Sequence, residues 1–211
     1  MTIWIAIALT VASLVVAETV PAAQTVGPRD AVEAAVVRFM NIMQTGRSDG
    51  AAVTADRFVA IREIVREMFD FDEISRRALS RHWQTLQSDE QAEFVTLFRD
   101  LLERAYLTQV EGAGGQQITF LGESIDGGGS ATVRSKVGSR HGSEIPLDYR
   151  LHVIDGRWRI YDVVVQGVSF IANYRTQFDR VIRAESYSSL RERLQKKATE
   201  TRATETTAAQ R

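Results

Sequence analysis

Between Ile145 and Val153 every second residue is a large apolar one, set against Pro146, Asp148, Arg150 and His152, and this pattern constrains the fold more than any other feature of the chain. The apolar residues are Ile145, Leu147, Tyr149, Leu151 and Val153. Successive side chains of a β-strand point to opposite faces of the sheet, so the pattern predicts a strand with one face on a core and the other in water. One buried and one solvated face is typical of an antiparallel sheet.

Further alternation extends the predicted sheet on both sides of this strand. Residues 118–120 and 133–137 alternate before it, and residues 158–160 alternate after it. Typical turn sequences separate these segments, namely Gly127-Gly128-Gly129 and Asp155-Gly156. Residues 163–165 are all valine, so we expect this end of the last strand to be covered on both faces.

Helical periodicity precedes and follows the predicted sheet. Apolar residues recur at three- and four-residue steps over residues 32–43, 58–68 and 94–106, and again over 170–182. Pro28 is well placed to begin the first helix, where an N–H would have no intrahelical partner. Helices, then antiparallel strands, then helices again indicate an α+β fold with a curved sheet and a concave interior.

Capping residues mark where several helices begin. Asp70 is expected to cap a short third helix, with Glu73 folding back onto the cap three residues later. Ser88 with Gln91 predicts a second capping box, at the start of the longest helix of this half. Ser186 is expected to cap a last short helix.

The first residues have the pattern of an export signal. Residues 3–17 form an apolar run that is shorter than the roughly 18 residues needed to span a membrane. Small residues favour cleavage after Ala17, with Ala22 and Ala23 as alternatives. An uncleaved anchor is the competing interpretation, because no Lys or Arg precedes Arg29.

The chain is therefore expected to contain one folded domain between two accessory segments. We assign residues 1–17 to the signal peptide and 18–27 to a Pro/Ala/Gly linker. Residues 28–197 form the domain. Residues 198–211 are rich in Thr, Ala and Glu without apolar periodicity, so a disordered tail is predicted there.

Composition excludes several classes of function. The chain has 26 Lys and Arg against 27 Asp and Glu, so electrostatics give no reason to expect nucleic acid as a partner. It has no cysteine, which excludes thiol catalysis, cysteine-ligated zinc and attachment of a lipid to cysteine. Without disulfides an exported domain must depend on its core, which a chain of this length can form.

Candidate metal ligands and nucleophiles are sparse. None of the histidines has a second ligand at a metal-binding spacing; they are His82, His141 and His152. The acidic cluster at residues 70–73 could bind a divalent metal, but capping of a helix N-terminus is the simpler interpretation. No serine lies in a nucleophile motif. We predict no catalytic residue, no metal and no cofactor.

Asp162 is the one carboxylate in an otherwise apolar strand. A cavity enzyme could use such a residue for proton transfer, and this is the rival functional class. Alternatively, Asp162 lies on the wet face or pairs with Arg159 or Arg175. The sequence supplies no second catalytic group beside it.

Three ordered blocks of sequence resemble the MlaC family. The first runs from Phe69-Asp70-Phe71-Asp72-Glu73-Ile74-Ser75 through Ala78-Leu79 to His82-Trp83. The second comprises Glu93-Phe94, Leu97-Phe98, Leu101-Leu102 and Tyr106. The third runs from Trp158-Arg159-Ile160-Tyr161-Asp162-Val163-Val164-Val165 through Gly167-Val168-Ser169 to Asn173-Tyr174-Arg175 and Gln177-Phe178.

MlaC proteins are the periplasmic phospholipid-binding components of the Mla transport system, also called toluene-tolerance auxiliary proteins. The resemblance implies a cystatin-like or NTF2-like α+β fold with a deep apolar pocket for the acyl chains of a phospholipid. It implies a periplasmic carrier that shuttles lipid between an outer-membrane lipoprotein complex and an inner-membrane ABC transporter with an MCE-domain subunit, maintaining outer-membrane lipid asymmetry. The bound phospholipid would be cargo. A similar branch is associated with hopanoid biosynthesis, so a hopanoid or another lipid is the alternative cargo.

Eight residues on apolar faces of the sheet and its flanking helices are candidates for the pocket lining. They are Leu102, Tyr106, Tyr149, Leu151, Val163, Val165, Val168 and Tyr174. Ordinary core packing would produce the same periodicity. A periplasmic scaffold with a filled core therefore stays open as a third hypothesis.

Overall fold

The computed structural model describes residues 26–45, 55–111, 116–138 and 142–209. The predicted signal peptide, all but two residues of the predicted linker, and His141 lie outside these ranges. Within them, no helix is both long enough and apolar enough to cross a bilayer.

In the described ranges, helices come first, then one sheet, then helices again. The first helical group comprises α1 (Pro28–Thr45), α2 (Ala55–Met68), α3 (Phe71–Leu79), a 3₁₀ turn (Ser80–Thr85) and α4 (Ser88–Glu111). The strands are β1 (Ile118–Ile125), β2 (Ser130–Gly138), β3 (Glu144–Ile154), β4 (Arg157–Val165) and β5 (Val168–Ser169). Helices α5 (Phe170–Ala184) and α6 (Tyr187–Ala209) complete the fold. The predicted α+β class is confirmed.

The five strands pair antiparallel in chain order, β1-β2-β3-β4-β5. The predicted alternation in β3 is confirmed at its centre, where Tyr149 and Leu151 are buried. Val153 lies beyond the covered part of the sheet and is 43% exposed. The predicted turn at Asp155-Gly156 is also confirmed, with φ of +50° and +74°, as a two-residue hairpin turn requires.

A β-bulge in β4 changes which residues face inward. Asp162 pairs with Arg150, whereas Ile160 pairs with Leu151, so Tyr161 is an extra residue. The inner face therefore includes Ile160 before the bulge and residues 163 and 165 after it. We expected both faces to be covered here. Val164 is indeed buried on the other face, but the expectation is wrong at residue 165, which is 39% exposed.

Two hydrophobic cores lie side by side. The first is formed by α3, α4, α5 and α6, and its centre is an aromatic cluster in which Phe94 and Phe98 are fully buried. Phe178 meets both of these rings nearly edge-on, with centroids 5.7 and 5.1 Å away. The second core lies between α1, α2 and the sheet. Phe69 packs against both cores.

Asp70 caps α3 as predicted. Its Oδ1 accepts the N–H of Glu73 at 3.0 Å, and its Oδ2 lies 2.8 Å from Nε2 of His152 on β3. Glu73 does not fold back onto the cap, which corrects the expected capping box. Its carboxylate instead pairs with Arg76 and Arg77, each at 2.6 Å, because these cations lie one helical turn along the same face.

The start of α4 differs from the prediction by one residue. The N–H of Gln87 donates to the Glu90 carboxylate at 2.9 Å, so the capping position is residue 87 and not Ser88. Gln91 donates instead to the carbonyls of Trp83 and Leu86, at 3.0 and 3.3 Å. The predicted Ser186 cap is present, with Oγ accepting the N–H of Ser189 at 3.1 Å.

The last helix is longer than expected. We predicted a short helix followed by a disordered tail from Ala198, whereas α6 continues to Ala209. Leu190 and Leu194 are buried and hold its first half on the core. Once a helix is nucleated, each added residue gains one hydrogen bond, and Ala, Glu, Lys and Arg are good helix formers. Helix propensity therefore extends α6 without an apolar face.

Replacing Asp70 with Ala should lower the free energy of unfolding by about 1–2 kcal/mol, because α3 loses its cap and β3 loses a partner. Urea unfolding measures this difference. Asp72→Ala is the matched control, since Asp72 is an exposed carboxylate in the same helical turn. Equal destabilisation by the two variants would contradict the capping role.

Candidate functional site

A cavity of about 470 Å³ lies between the inner face of the sheet and helices α1, α2 and α4. Its wall is largely apolar. Helix α1 contributes Val32, Val36, Phe39 and Met40, α2 contributes Ile64, Val65 and Met68, and the sheet contributes Leu147, Tyr149, Ile160 and Val163. Protein interiors are ordinarily close-packed, and ligand pockets span roughly 300–1,000 Å³. The size and lining therefore fit an apolar ligand.

The cavity is closed at one end and open at the other. At the closed end, Tyr149 and Ile160 are 8% and 3% exposed. At the other end, Tyr106 on α4 and Val165 on β4 line the cavity but are 37% and 39% exposed. Ile118 pairs there with Val137 across β1 and β2, and both residues also line the cavity. We call these four residues at positions 106, 118, 137 and 165 the mouth.

Five of the eight predicted pocket residues line this cavity. They are Leu102, Tyr106, Tyr149, Val163 and Val165.

The other three predicted residues do not line it. Leu151 is fully buried in the second core. Val168 is 64% exposed on β5, where it pairs with Val165 beside the mouth. Tyr174 packs against Phe98 in the first core, with ring centroids 5.0 Å apart. Periodicity identifies an apolar face but not which positions on it lie opposite empty space.

The contribution of α1 and α2 was missed by the sequence prediction. Val36, Phe39 and Met40 were recognised as an apolar helical stripe, but nothing in the stripe distinguishes a cavity wall from a core. These residues line the cavity because α1 lies across from the sheet, and only the folded structure shows that arrangement.

One charged group in the cavity wall lies in a cluster of arginines between α2 and α4. Glu103 is buried, with its side chain 3% exposed. Arg66 contacts it through two hydrogen bonds, of 2.9 and 3.3 Å. Arg62 Nε lies 2.9 Å from Glu103 Oε2, and Arg99 Nε lies 4.0 Å from Oε1. The hydrogen bond that Arg66 donates to Glu103 raises the pKa of the Arg66 guanidinium. We call Arg62, Arg66 and Arg99 the arginine cluster.

Asp162 borders the cavity but is occupied by structural contacts. It is 4% exposed, and its carboxylate accepts hydrogen bonds from Ser169 Oγ, the Ile171 N–H and Arg150 Nη1 at 2.7, 3.1 and 3.1 Å. The expected partners Arg159 and Arg175 are therefore wrong. Because β4 and the start of α5 converge on this carboxylate, it anchors α5 to the sheet.

The remaining candidate groups are likewise engaged in contacts between elements. His82 lies 2.8 Å from Asp179 on α5, and His152 lies 2.8 Å from Asp70. Arg81 also donates to Asp179, and these two hydrogen bonds hold the pKa of this carboxyl below its usual value. Across the described ranges, no group of three or more metal-ligating side chains converges.

Among the cavity-lining residues that the structure describes, Tyr149 is the one tyrosine at the closed end. Its burial raises the pKa to about 12, while a hydrogen bond with Ser135 acts in the opposite direction. Ser135 in turn donates to the Leu147 carbonyl at 2.8 Å. The neutral phenol therefore has a partner of its own and keeps the closed end uncharged at ordinary pH.

Comparisons with known proteins extend these observations. The family model described as MlaC protein matches residues 33–196. The toluene tolerance protein ttg2D of Pseudomonas putida is 26% identical over 158 residues, covering 74% of this chain and 73% of that protein. The solved structure of the phospholipid-binding protein from Ralstonia solanacearum, in complex with a phospholipid, aligns with a TM-score of 0.72 at 21% identity. That alignment covers 82% of this chain and 97% of the other, and it establishes a shared fold.

Replacing Asp162 with Asn should lower the free energy of unfolding by about 1–3 kcal/mol, because an amide cannot satisfy the same three donors. Urea unfolding checks this. Asp155→Asn is the control: residue 155 is exposed at a turn with positive φ, which Asn tolerates. An unchanged stability in Asp162→Asn would contradict the anchoring role.

The stability of the protein should fall as pH rises from about 10 to 12. The unfolded chain ionises Tyr149 near pH 10, whereas the folded state keeps its proton up to about 12, so unfolding releases a proton within this window. The stabilisation that the protonated Tyr149 contributes is fully present below about pH 10, and it is lost as the pH rises through the folded-state pKa of about 12. Urea midpoints measured across this range should decline less steeply for Tyr149→Phe than for the wild type. Identical slopes would rule out this contribution.

Proposed function

Because the chain belongs to the MlaC family, as the three sequence blocks predicted, we propose that it is a carrier that holds a phospholipid with its acyl chains in the cavity. The apolar cavity of about 470 Å³ is the observation that carries this proposal. The phospholipid-bound relative from Ralstonia solanacearum, which has the same fold, supports it.

The energetics of lipid transfer explain why enclosure matters. Two acyl chains of roughly 16 carbons gain on the order of 25 kcal/mol by avoiding water, at about 0.8 kcal/mol per CH₂. A shallow groove would leave part of each acyl chain in water and would therefore lose much of this free energy. Since the lipid moves from an apolar bilayer to an apolar cavity, the net free-energy change should be close to zero. The barrier is the passage of the acyl chains through water, and a deep apolar cavity lowers it.

The carrier should work in the periplasm between two membranes. We propose that it exchanges lipid with an inner-membrane ABC transporter that has an MCE-domain subunit and with an outer-membrane lipoprotein complex. This exchange would maintain outer-membrane lipid asymmetry. Family membership and the apolar residues at the mouth support docking at the mouth end, where Tyr106, Val165 and Val168 are exposed.

Carrying lipid requires no catalytic group, and we propose that the protein is not an enzyme. A general base needs a lone pair directed at the substrate. The Asp162 carboxylate already accepts hydrogen bonds from β3, β5 and α5, which favours a structural role over proton transfer.

Organic extraction of natively purified protein followed by mass spectrometry should recover a phospholipid in near-stoichiometric amount. Val163→Trp should fold but hold little lipid, because the indole occupies space now available to acyl chains. Val153→Trp, at an exposed position of the same sheet, should retain lipid as the matched control.

A protein that yields no lipid, and that takes none up from phospholipid vesicles, would contradict the carrier. Recovery of a hopanoid and no phospholipid would show that the protein carries the alternative lipid. Unfolding of Val163→Trp, seen by circular dichroism, would favour a filled core.

A further inference from the structure

The volume of the cavity limits how much of a lipid can lie inside it. Benzene, which has six carbons, occupies an apolar cavity of about 150 Å³ in another protein, so an enclosed carbon takes about 25 Å³. At that density an acyl chain of roughly 16 carbons fills about 400 Å³, and two such chains fill about 800 Å³. The cavity of about 470 Å³ therefore matches one chain and is too small for two.

Hydrogen bonds hold helix α1 in place as one wall of the cavity. The Arg29 N–H at the start of α1 donates to the Glu123 carboxylate of β1 at 2.7 Å. Near the other end of α1, Arg57 Nη2 of α2 donates to the Met43 carbonyl at 2.9 Å. Helix α1 is therefore fixed to the sheet at its beginning and to α2 near its end.

The end of α2 is fixed to two further walls. Arg66 donates two hydrogen bonds to Glu103 of α4, and the Asp70 N–H just beyond α2 donates to the Ile160 carbonyl of β4 at 2.9 Å. Glu103 is buried, so moving α2 away from α4 would leave a buried charge without its partner, which is strongly destabilising. A second chain needs roughly 330 Å³ more than the cavity has, and these contacts oppose that widening.

We propose that the cavity encloses a single acyl chain, and that the phospholipid it fits is a lysophospholipid, which has only one chain. This inference rests on the proposed function and narrows it from phospholipids in general to this class. A lipid with two chains leaves one of them outside the cavity and in water. It therefore loses about half of the free energy that enclosure of both chains would provide.

The first measurement counts the enclosed chains. Lipid-free full-length protein is mixed with an excess of lysophosphatidylcholine of roughly 16 carbons, below the concentration at which it forms micelles. Native mass spectrometry then counts the molecules bound to each protein. One molecule is expected, because each carries one chain. Two molecules would show room for two chains, which overturns the inference and leaves the carrier in place.

The second measurement finds the chain length that fills the cavity. Isothermal titration calorimetry gives the affinity for lysophosphatidylcholines of increasing chain length. Each added CH₂ should tighten binding about fourfold while the cavity has room for it. This gain should stop at about 19 carbons, where the cavity volume is filled. A gain that continues at the same rate for several carbons beyond this limit would overturn the inference.

Variants of the cavity wall should move this length limit by amounts that their size predicts. Val163→Trp adds seven non-hydrogen atoms and should shorten the limit by about seven carbons. Phe39→Ala removes six and should lengthen it by about six, which keeps the test decisive if Val163→Trp does not fold. Val153→Trp is the matched control, because Val153 is exposed on the same sheet, and it should leave the limit unchanged. A limit that neither lining variant moves would contradict the inference.

Failure of the inference and failure of the proposed function give different results. Phosphatidylcholine with a nitroxide at the end of one chain or the other is bound to the protein, and reduction of the nitroxide by ascorbate is followed. Protection of both chain ends would assign a two-chain cargo to the carrier and overturn the inference. Binding of neither lysophosphatidylcholine nor phosphatidylcholine would remove the proposed function itself.

Discussion

The contact between the α2–α3 junction and the middle of β4 holds the two parts of the fold in register. Phe69 packs against both cores, and the Asp70 N–H donates to the Ile160 carbonyl at 2.9 Å. The Asp70 carboxylate then caps α3 and reaches β3. At the bulge, Tyr161 packs against Arg77, whose Cζ lies 4.1 Å from the ring centroid. One short segment therefore fixes where α3 begins and which residues of β4 face inward.

This junction separates a close-packed core from an unfilled one. The rings of Phe94, Phe98 and Phe178 contact one another and do not line the cavity. Edge-to-face aromatic pairs contribute about 0.5–1.5 kcal/mol each beyond the area they bury. Because this packing does not involve the cavity, it stabilises the fold whether the cavity is empty or filled. The proposed carrier must remain folded in both conditions.

Two buried carboxylates at the cavity margin illustrate how surroundings set the role of a residue. Asp162 accepts hydrogen bonds from a backbone N–H, a hydroxyl and one guanidinium, and it holds α5 on the sheet. Glu103 faces three guanidinium groups that are partly exposed. The Asp162 carboxylate is held by three donors from β3, β5 and α5. The Glu103 carboxylate is shared among three cations, two from α2 and one from α4, and so links these two helices.

The sequence by itself determined the class of fold, several helix starts and the family, because these depend on short-range patterns. Alternation at residues 145–153 specified a half-buried strand, and Asp70 specified a helix cap. Only the tertiary structure decided where the cavity lies. The bulge at Tyr161 arises from the pairing of β3 with β4, and it turned Val163 and Val165 inward. Leu151 and Tyr149 share one apolar face, yet only Tyr149 lies against empty space, because a cavity is defined by what faces a residue across the fold.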